Sequence, residues 1–304
     1  MTTVSQNRTH SFRTIAAAAA AVTLLSTCHS ATDVSASDPS ILFFQGSIQG
    51  GQLVVLSPDG TVRQQILDIS GAGAIQPRWS PDRQRISFYR LPYFYYHVTT
   101  PGLFVINADG TDLHEIAPGQ PLETADWSPD GSDLVAYSAD SLVLVRLSDG
   151  AITPLPGKNA YPYDLFRSIS WSPDGNHILY NGFASGTTNL EVFDVATGAS
   201  RVLVSRASNG RWSPDGSRIA YWAGDGRSWP NKVAVVNSDG SNPTPLTSDL
   251  ETSPDLTWSP DGKRLVFVIG CCQSSLVSMP AAGGKLSALA GTDNANYPDW
   301  RRAR

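Results

Sequence analysis

The sequence predicts an all-β fold: a six-bladed β-propeller of four-stranded antiparallel blades, its ring closed by the C-terminal strand. Three observations carry this. Six tryptophans, Trp79, Trp127, Trp171, Trp212, Trp258 and Trp300, recur at gaps of 48, 44, 41, 46 and 42 residues. A second series of turn pairs lies between them: Asp59-Gly60, Asp109-Gly110, Asp149-Gly150, Thr197-Gly198, Asp239-Gly240 and Gly283-Gly284. A repeat of that length with two turn signals per unit suits propeller blades of four short strands. The third observation is that the ends complement each other. Residues 41–67 hold three strands with no tryptophan strand ahead of them, and 297–304 hold a tryptophan strand with nothing after it. Residues 297–302 are therefore expected to form the inner strand of blade one, which leaves no open sheet end and needs no capping repeat.

Within a unit, "LTWSPDGKRLVFVI" (256–269) reads as strand, turn, strand, and "SLVSMPAAGGKLSAL" (275–289) reads the same way. Alternation is visible at Arg264–Phe267 and Lys232–Val236, while several inner strands are apolar throughout, as expected of sheets covered on both faces. The turn itself is written four times as WSPDG, at 127–131, 171–175, 212–216 and 258–262, and once as WSPDR at 79–83. Pro173 presets φ for the first turn position, Asp174 suits the second, and Gly175 can take the left-handed conformation that closes the hairpin. Arg83 replaces that glycine in one unit, at a cost of roughly 1–2 kcal/mol. Tryptophan ahead of the turn offers a large flat apolar area where two blades meet. The repeated motif is thus read as architecture, and its aspartates as turn formers rather than catalysts.

Composition agrees. The chain of 304 residues is 41% hydrophobic and only 16% charged, with 26 glycines and 21 prolines, a mixture suited to short strands and tight turns. Its net charge of −5 and the lack of any Arg/Lys run argue against a nucleic-acid partner.

Residues 1–40 differ in kind. Arg8 and Arg13 precede the apolar run Ile15–Val22, with no acidic residue before Asp33, the pattern of a secretory signal. Leu25-Ser26-Thr27-Cys28 resembles the bacterial lipoprotein signal, in which cleavage precedes a cysteine that is then lipidated. The other reading is an ordinary signal peptide with an incidental cysteine. The expected organisation is a lipoprotein-type signal peptide (1–27), a flexible polar tether (28–40) and a single propeller domain (41–304). Lipid on Cys28 would be the sole membrane attachment, with more than one acyl chain giving stable anchoring. The periplasm-facing outer membrane is the default location.

The WSPDG hairpin, followed by a strand and a second Asp-Gly hairpin, resembles the WD-type repeats of TolB-like propeller proteins over about residues 41–302. That resemblance implies the six-bladed fold and a role in contacts with other envelope proteins. Propellers host binding, scaffolding and catalysis alike; the residues here show no catalytic constellation, and no G-x-S-x-G elbow occurs in the chain. No cofactor or metal is expected.

Function is expected where the blades differ. Most connections on the face opposite the hairpins are short, but "YRLPYFYYHVTTPG" (89–102), "KNAYPYDLF" (158–166) and "WAGDGRSWPNK" (222–232) are long and aromatic. They assign Tyr93, Phe94, Tyr95, Tyr96, His97, Tyr161, Tyr163, Phe166, Trp222 and Trp229 to one candidate face. Tyrosine and tryptophan supply rigid contact area with a polar tip, as in binding hot spots; the alternative is that these rings pack on one another and plug the ring. His97, His114 and His177 fall in different places, and no pair has ligand spacing. "NADGTDLHE" (107–115) is read as a turn rather than a calcium loop. Cys271 and Cys272 are adjacent; in an oxidising compartment they can form a vicinal disulfide, remain free thiols or pair between molecules. Arg78, Asp126, Ser170, Arg211, Thr257 and Asp299, each just ahead of a tryptophan, would give a central channel polar lining of mixed sign.

The functional expectation is a non-catalytic interaction module of the bacterial envelope that takes a protein, peptide or glycan partner. A propeller enzyme, such as a calcium-dependent lactonase or a sugar hydrolase or lyase, is the alternative.

Overall fold

The structure is a computed structural model. It describes residues 41–300 apart from 48, 93–101, 140, 157–167, 185, 225–231, 251–254 and 271–272. The described residues form six four-stranded sheets, and every paired strand is antiparallel to its neighbour. Blade two is β4 (Ala72–Trp79), β5 (Arg85–Pro92), β6 (Gly102–Asn107) and β7 (His114–Glu115) in that order. Blade three follows as β8 (Leu122–Trp127), β9 (Asp133–Ser138), β10 (Ser141–Arg146) and β11 (Ile152–Pro154). Blade four is β12 (Ile169–Trp171), β13 (His177–Ala184), β14 (Thr187–Asp194) and β15 (Ser200–Ser205). Blade five is β16 (Ala207–Trp212), β17 (Arg218–Ala223), β18 (Lys232–Asn237) and β19 (Thr244–Pro245). Blade six is β20 (Leu256–Trp258), β21 (Arg264–Ile269), β22 (Ser275–Pro280) and β23 (Ser287–Ala288).

Blade one is assembled from both ends. β1 (Ile41–Ser47), β2 (Gly50–Leu56) and β3 (Arg63–Ser70) come from the beginning, and β24 (Ala295–Trp300) pairs with β1. Ile41 faces Trp300, Leu42 faces Asp299, and Gln45 faces Ala295. The closing strand starts two residues earlier than the sequence suggests. Ala295 and Asn296 extend the pairing across a bulge at Tyr297 (φ 55°), and the Gly46 N–H donates to the Asn294 carbonyl at 3.1 Å. The same device recurs three residues ahead of other tryptophans. Gln76 (φ 50°) and Asn209 (φ 53°) lie where β4 and β16 shift register against β5 and β17. A bulge of this kind bends and twists the strand locally, and the positive-φ residue itself is not a glycine in any of the three.

The hairpins form as their chemistry dictates. In blade four the Gly175 N–H donates to the Ser172 carbonyl at 3.0 Å, and the Ser172 N–H donates to the His177 carbonyl at 2.8 Å. Ser172 Oγ donates to Asp174 at 2.6 Å and accepts from the His177 N–H at 2.9 Å. Gly131, Gly175, Gly216 and Gly262 sit at φ 74°, 77°, 71° and 67°, and Arg83 takes the same conformation at φ 64°.

The core is six cores, one per joint, and each seats one tryptophan of the repeat. Trp79 lies between blades one and two, Trp127 between two and three, and Trp171 between three and four. Trp212 lies between four and five, and Trp258 between five and six. At the last joint Trp300 packs with Ile41 and Phe43 against Val266, Val268 and Leu276 of blade six. The sixth joint is as apolar as the other five, so the ring is closed by packing as well as by strand pairing.

Candidate functional site

The residues ahead of the tryptophans do meet at the axis, but they act as latches. Asp299 Oδ2 accepts the Trp79 N–H at 2.8 Å, Asp126 Oδ2 accepts the Trp171 N–H at 2.8 Å, and Thr257 Oγ1 accepts the Trp300 N–H at 3.2 Å. Each bond runs from one blade to the next. The Trp127 and Trp258 indoles donate to the Arg78 and Arg211 carbonyls at 3.2 and 2.9 Å, and Arg211 donates to the Ile169 carbonyl. The space left among Arg78, Asp126, Ser170, Arg211 and Thr257 is about 30 Å³. That holds a water and is far below the few hundred cubic ångströms of a small-molecule pocket.

Most of the aromatic face read from the sequence lies outside the described residues: Tyr93, Phe94, Tyr95, Tyr96, His97, Tyr161, Tyr163, Phe166 and Trp229. So do Cys28, Cys271 and Cys272. Trp222 is described, and it corrects the sequence reading. It is 1% exposed, in the core of the joint between blades five and six, with its ring edge-on to Phe267 at 5.9 Å. The reason is the propeller itself. Along β17, Tyr221 turns to the blade-four side and Trp222 to the blade-six side, and both sides are covered. His114 opens β7 with Nδ1 2.9 Å from the Asp112 carbonyl, and Asp109 accepts from the Thr111 N–H and hydroxyl, so 107–115 is the β6–β7 hairpin. Among the described residues no three His, Cys, Asp or Glu side chains are grouped to hold a metal ion.

A cleft of about 520 Å³ opens on the hairpin face between blades four and five. The two WSPDG turns give it Asp174, Asp215 and Gly216. Trp212 and His177 stand along it, and Arg201 and Asp239 also line it. The sequence reading assigned the turns to architecture and missed this. The signal was the residue two places after each turn glycine or its replacement: Arg85, Asp133, His177, Arg218 and Arg264. Arg85 reaches the next blade, with Cζ 4.9 Å from the Trp127 ring centroid and Nη2 donating to the Gly131 carbonyl at 3.3 Å. Arg218 repeats this on Trp258 at 5.0 Å and on the Gly262 carbonyl at 3.3 Å. His177 is shorter. Its ring centroid is 6.3 Å from that of Trp212, and its Nε2 lies 3.8 Å from Asp194 on its own blade.

The turn aspartates are held ionised. The Ser172 and Ser213 hydroxyls, then the Asn176 and Ser217 amides, pull Asp174 and Asp215 below the usual carboxylate range. The Ser57 hydroxyl and Thr61 bring Asp59 down to about 2. Depressed carboxylates stabilise the fold fully above their unfolded value, about 3.9, and lose that contribution as pH falls through the folded value. The melting temperature should therefore be level from pH 7 to about 4 and fall steadily between about pH 4 and 2. A scan by circular dichroism that stays level to pH 2 would contradict the turn assignment.

Comparison with known proteins places this arrangement. Residues 163–302 match the family described as the TolB beta propeller domain. The Tol-Pal system protein TolB of Anaeromyxobacter dehalogenans (strain 2CP-C) is 35% identical over 96 residues, 31% of this chain and 22% of that protein. The Tol-Pal system protein TolB of Francisella tularensis subsp. holarctica (strain OSU18) is 29% identical over 177 residues, 55% of this chain and 40% of that protein. The chain thus matches less than half the length of these curated relatives. The crystal structure of TolB from Acinetobacter baumannii superimposes with a TM-score of 0.73 at 17% identity, covering 87% of this chain and 67% of that one. With its six tryptophan-seated joints and its WSPDG hairpins, the chain is a TolB-like six-bladed β-propeller.

Proposed function

We propose that this chain is a non-catalytic interaction module of the bacterial cell envelope, with another envelope protein as its partner. The observation that carries the reading is the match of 163–302 to the TolB beta propeller domain, in a chain whose curated relatives are named Tol-Pal system proteins. The contact is made by the aromatic segments around Tyr95, Tyr161 and Trp229. Support comes from the strand directions: β5 ends and β6 begins on the face opposite the WSPDG turns, as do β17 and β18. Lipid on Cys28 ties the module to the membrane, and the polar stretch 28–40 is its tether.

Cross-linking in intact envelopes followed by affinity capture tests this. The wild type is expected to retain one partner reproducibly. Tyr95→Ala with Trp229→Ala should reduce capture by about tenfold or more, as loss of hot-spot aromatics does, with the melting temperature nearly unchanged. Cys28→Ser should move the chain from the membrane to the soluble fraction. Undiminished capture by the double variant, or its unfolding, would overturn the aromatic face as the contact.

A further inference from the structure

The cleft between blades four and five has a template for its occupant inside the same molecule. At the joints between blades two and three and between five and six, an arginine lies over the next tryptophan and donates to the carbonyl of the next turn. At the joint between three and four the Trp171 indole itself turns to the Gly175 carbonyl, at 3.1 Å. Between four and five neither happens. His177 stays with Asp194, and among the described residues no side chain reaches the Gly216 carbonyl. Trp212 is only 6% exposed, and its indole N–H has no acceptor among the described residues. The turn carbonyl that an arginine takes elsewhere is untaken, and beside the tryptophan stands only the shorter His177, its ring centroid 6.3 Å away.

The charge of the cleft suits the same group. Three aspartates, Asp174, Asp215 and Asp239, line it against a single arginine. Arg201 acts on Asp239, and Arg218, from outside the cleft, acts on Asp215; the lining carboxylates still outnumber the one lining arginine. A planar guanidinium can stack on an aromatic face and donate to a carbonyl and a carboxylate at once, which a lysine ammonium cannot. The volume of about 520 Å³ exceeds one side chain and suits a short peptide segment.

We propose that this cleft binds an arginine side chain of a partner polypeptide, its guanidinium over Trp212 and hydrogen-bonded to the Gly216 carbonyl. The site lies on the hairpin face, away from the strand ends that carry the aromatic segments. It therefore stands or falls independently of the proposed aromatic contact.

The test is a titration of the ¹⁵N-labelled chain, following the Trp212 indole resonance. The blocked tripeptide acetyl-Gly-Arg-Gly-amide should shift it saturably. Acetyl-Gly-Lys-Gly-amide should bind at least tenfold more weakly, and free L-arginine, with its own carboxylate, more weakly than the blocked peptide. His177→Arg should fill the cleft from within and abolish the response, with a melting temperature equal to or above that of the wild type. His177→Ala should keep the response. No saturable shift, equal binding of the lysine peptide, free arginine binding as well as the tripeptide, or an unchanged response in a folded His177→Arg chain would each overturn the proposal.

Discussion

A chain ending at Asn294 is expected to lose its cooperative unfolding transition. Without β24 the apolar run Ile41–Phe44 becomes an open sheet edge, and the joint with blade six loses Trp300 and Ala295. The Asp299 carboxylate that receives the Trp79 N–H goes with it. Emptying a buried tryptophan site alone costs about 3–5 kcal/mol, against a total stability of roughly 5–15 kcal/mol for a folded domain. The lost strand pairing and latch add to that. An exposed apolar edge also invites pairing between chains. Calorimetry and size-exclusion chromatography should show a truncated chain that melts without a sharp transition or elutes as aggregate.

Trp222→Ala is expected to be the most damaging single substitution in blade five. Its ring is wholly enclosed between blades five and six and meets Phe267 at an angle of 84°. The expected loss is about 3–5 kcal/mol, a fall in melting temperature on the order of 10 °C for a domain of this size. Trp222→Phe should cost much less. It keeps an aromatic ring in the joint and removes an indole N–H that has no acceptor among the described residues. Thermal melts of the two variants distinguish this from a binding role. A surface tryptophan would leave both melts at the wild-type value and change only partner capture.

Much of the fold was legible because the repeats are written in residues with one structural use. A tryptophan ahead of Ser-Pro-Asp-Gly names a strand, a turn and a joint together, and the unmatched ends at 41 and 300 name the closure. What escaped was set by tertiary context. Gln76, Asn209 and Tyr297 take positive φ although none of them is a glycine. Trp222 looked like a loop residue because it heads the segment 222–232. One position inside a strand covered on both sides decides its burial instead. The axial aspartates looked like channel lining, since the sequence does not show that each accepts a backbone N–H from the next blade. The cleft at Trp212 was hidden for the opposite reason. Every residue in it has an architectural role, and only comparison of His177 with Arg85 and Arg218 across joints exposes the space.

All placement of loops and clefts rests on the ring being closed through β1 and β24. Native-state hydrogen exchange of the backbone amides at this joint measures that most directly. The amides of Leu42, Phe44 and Trp300 should exchange as slowly as those of Val266 and Phe267 in blade six, opening only with global unfolding. Exchange of the β24 amides within seconds, while blade six stays protected, would contradict a closed ring.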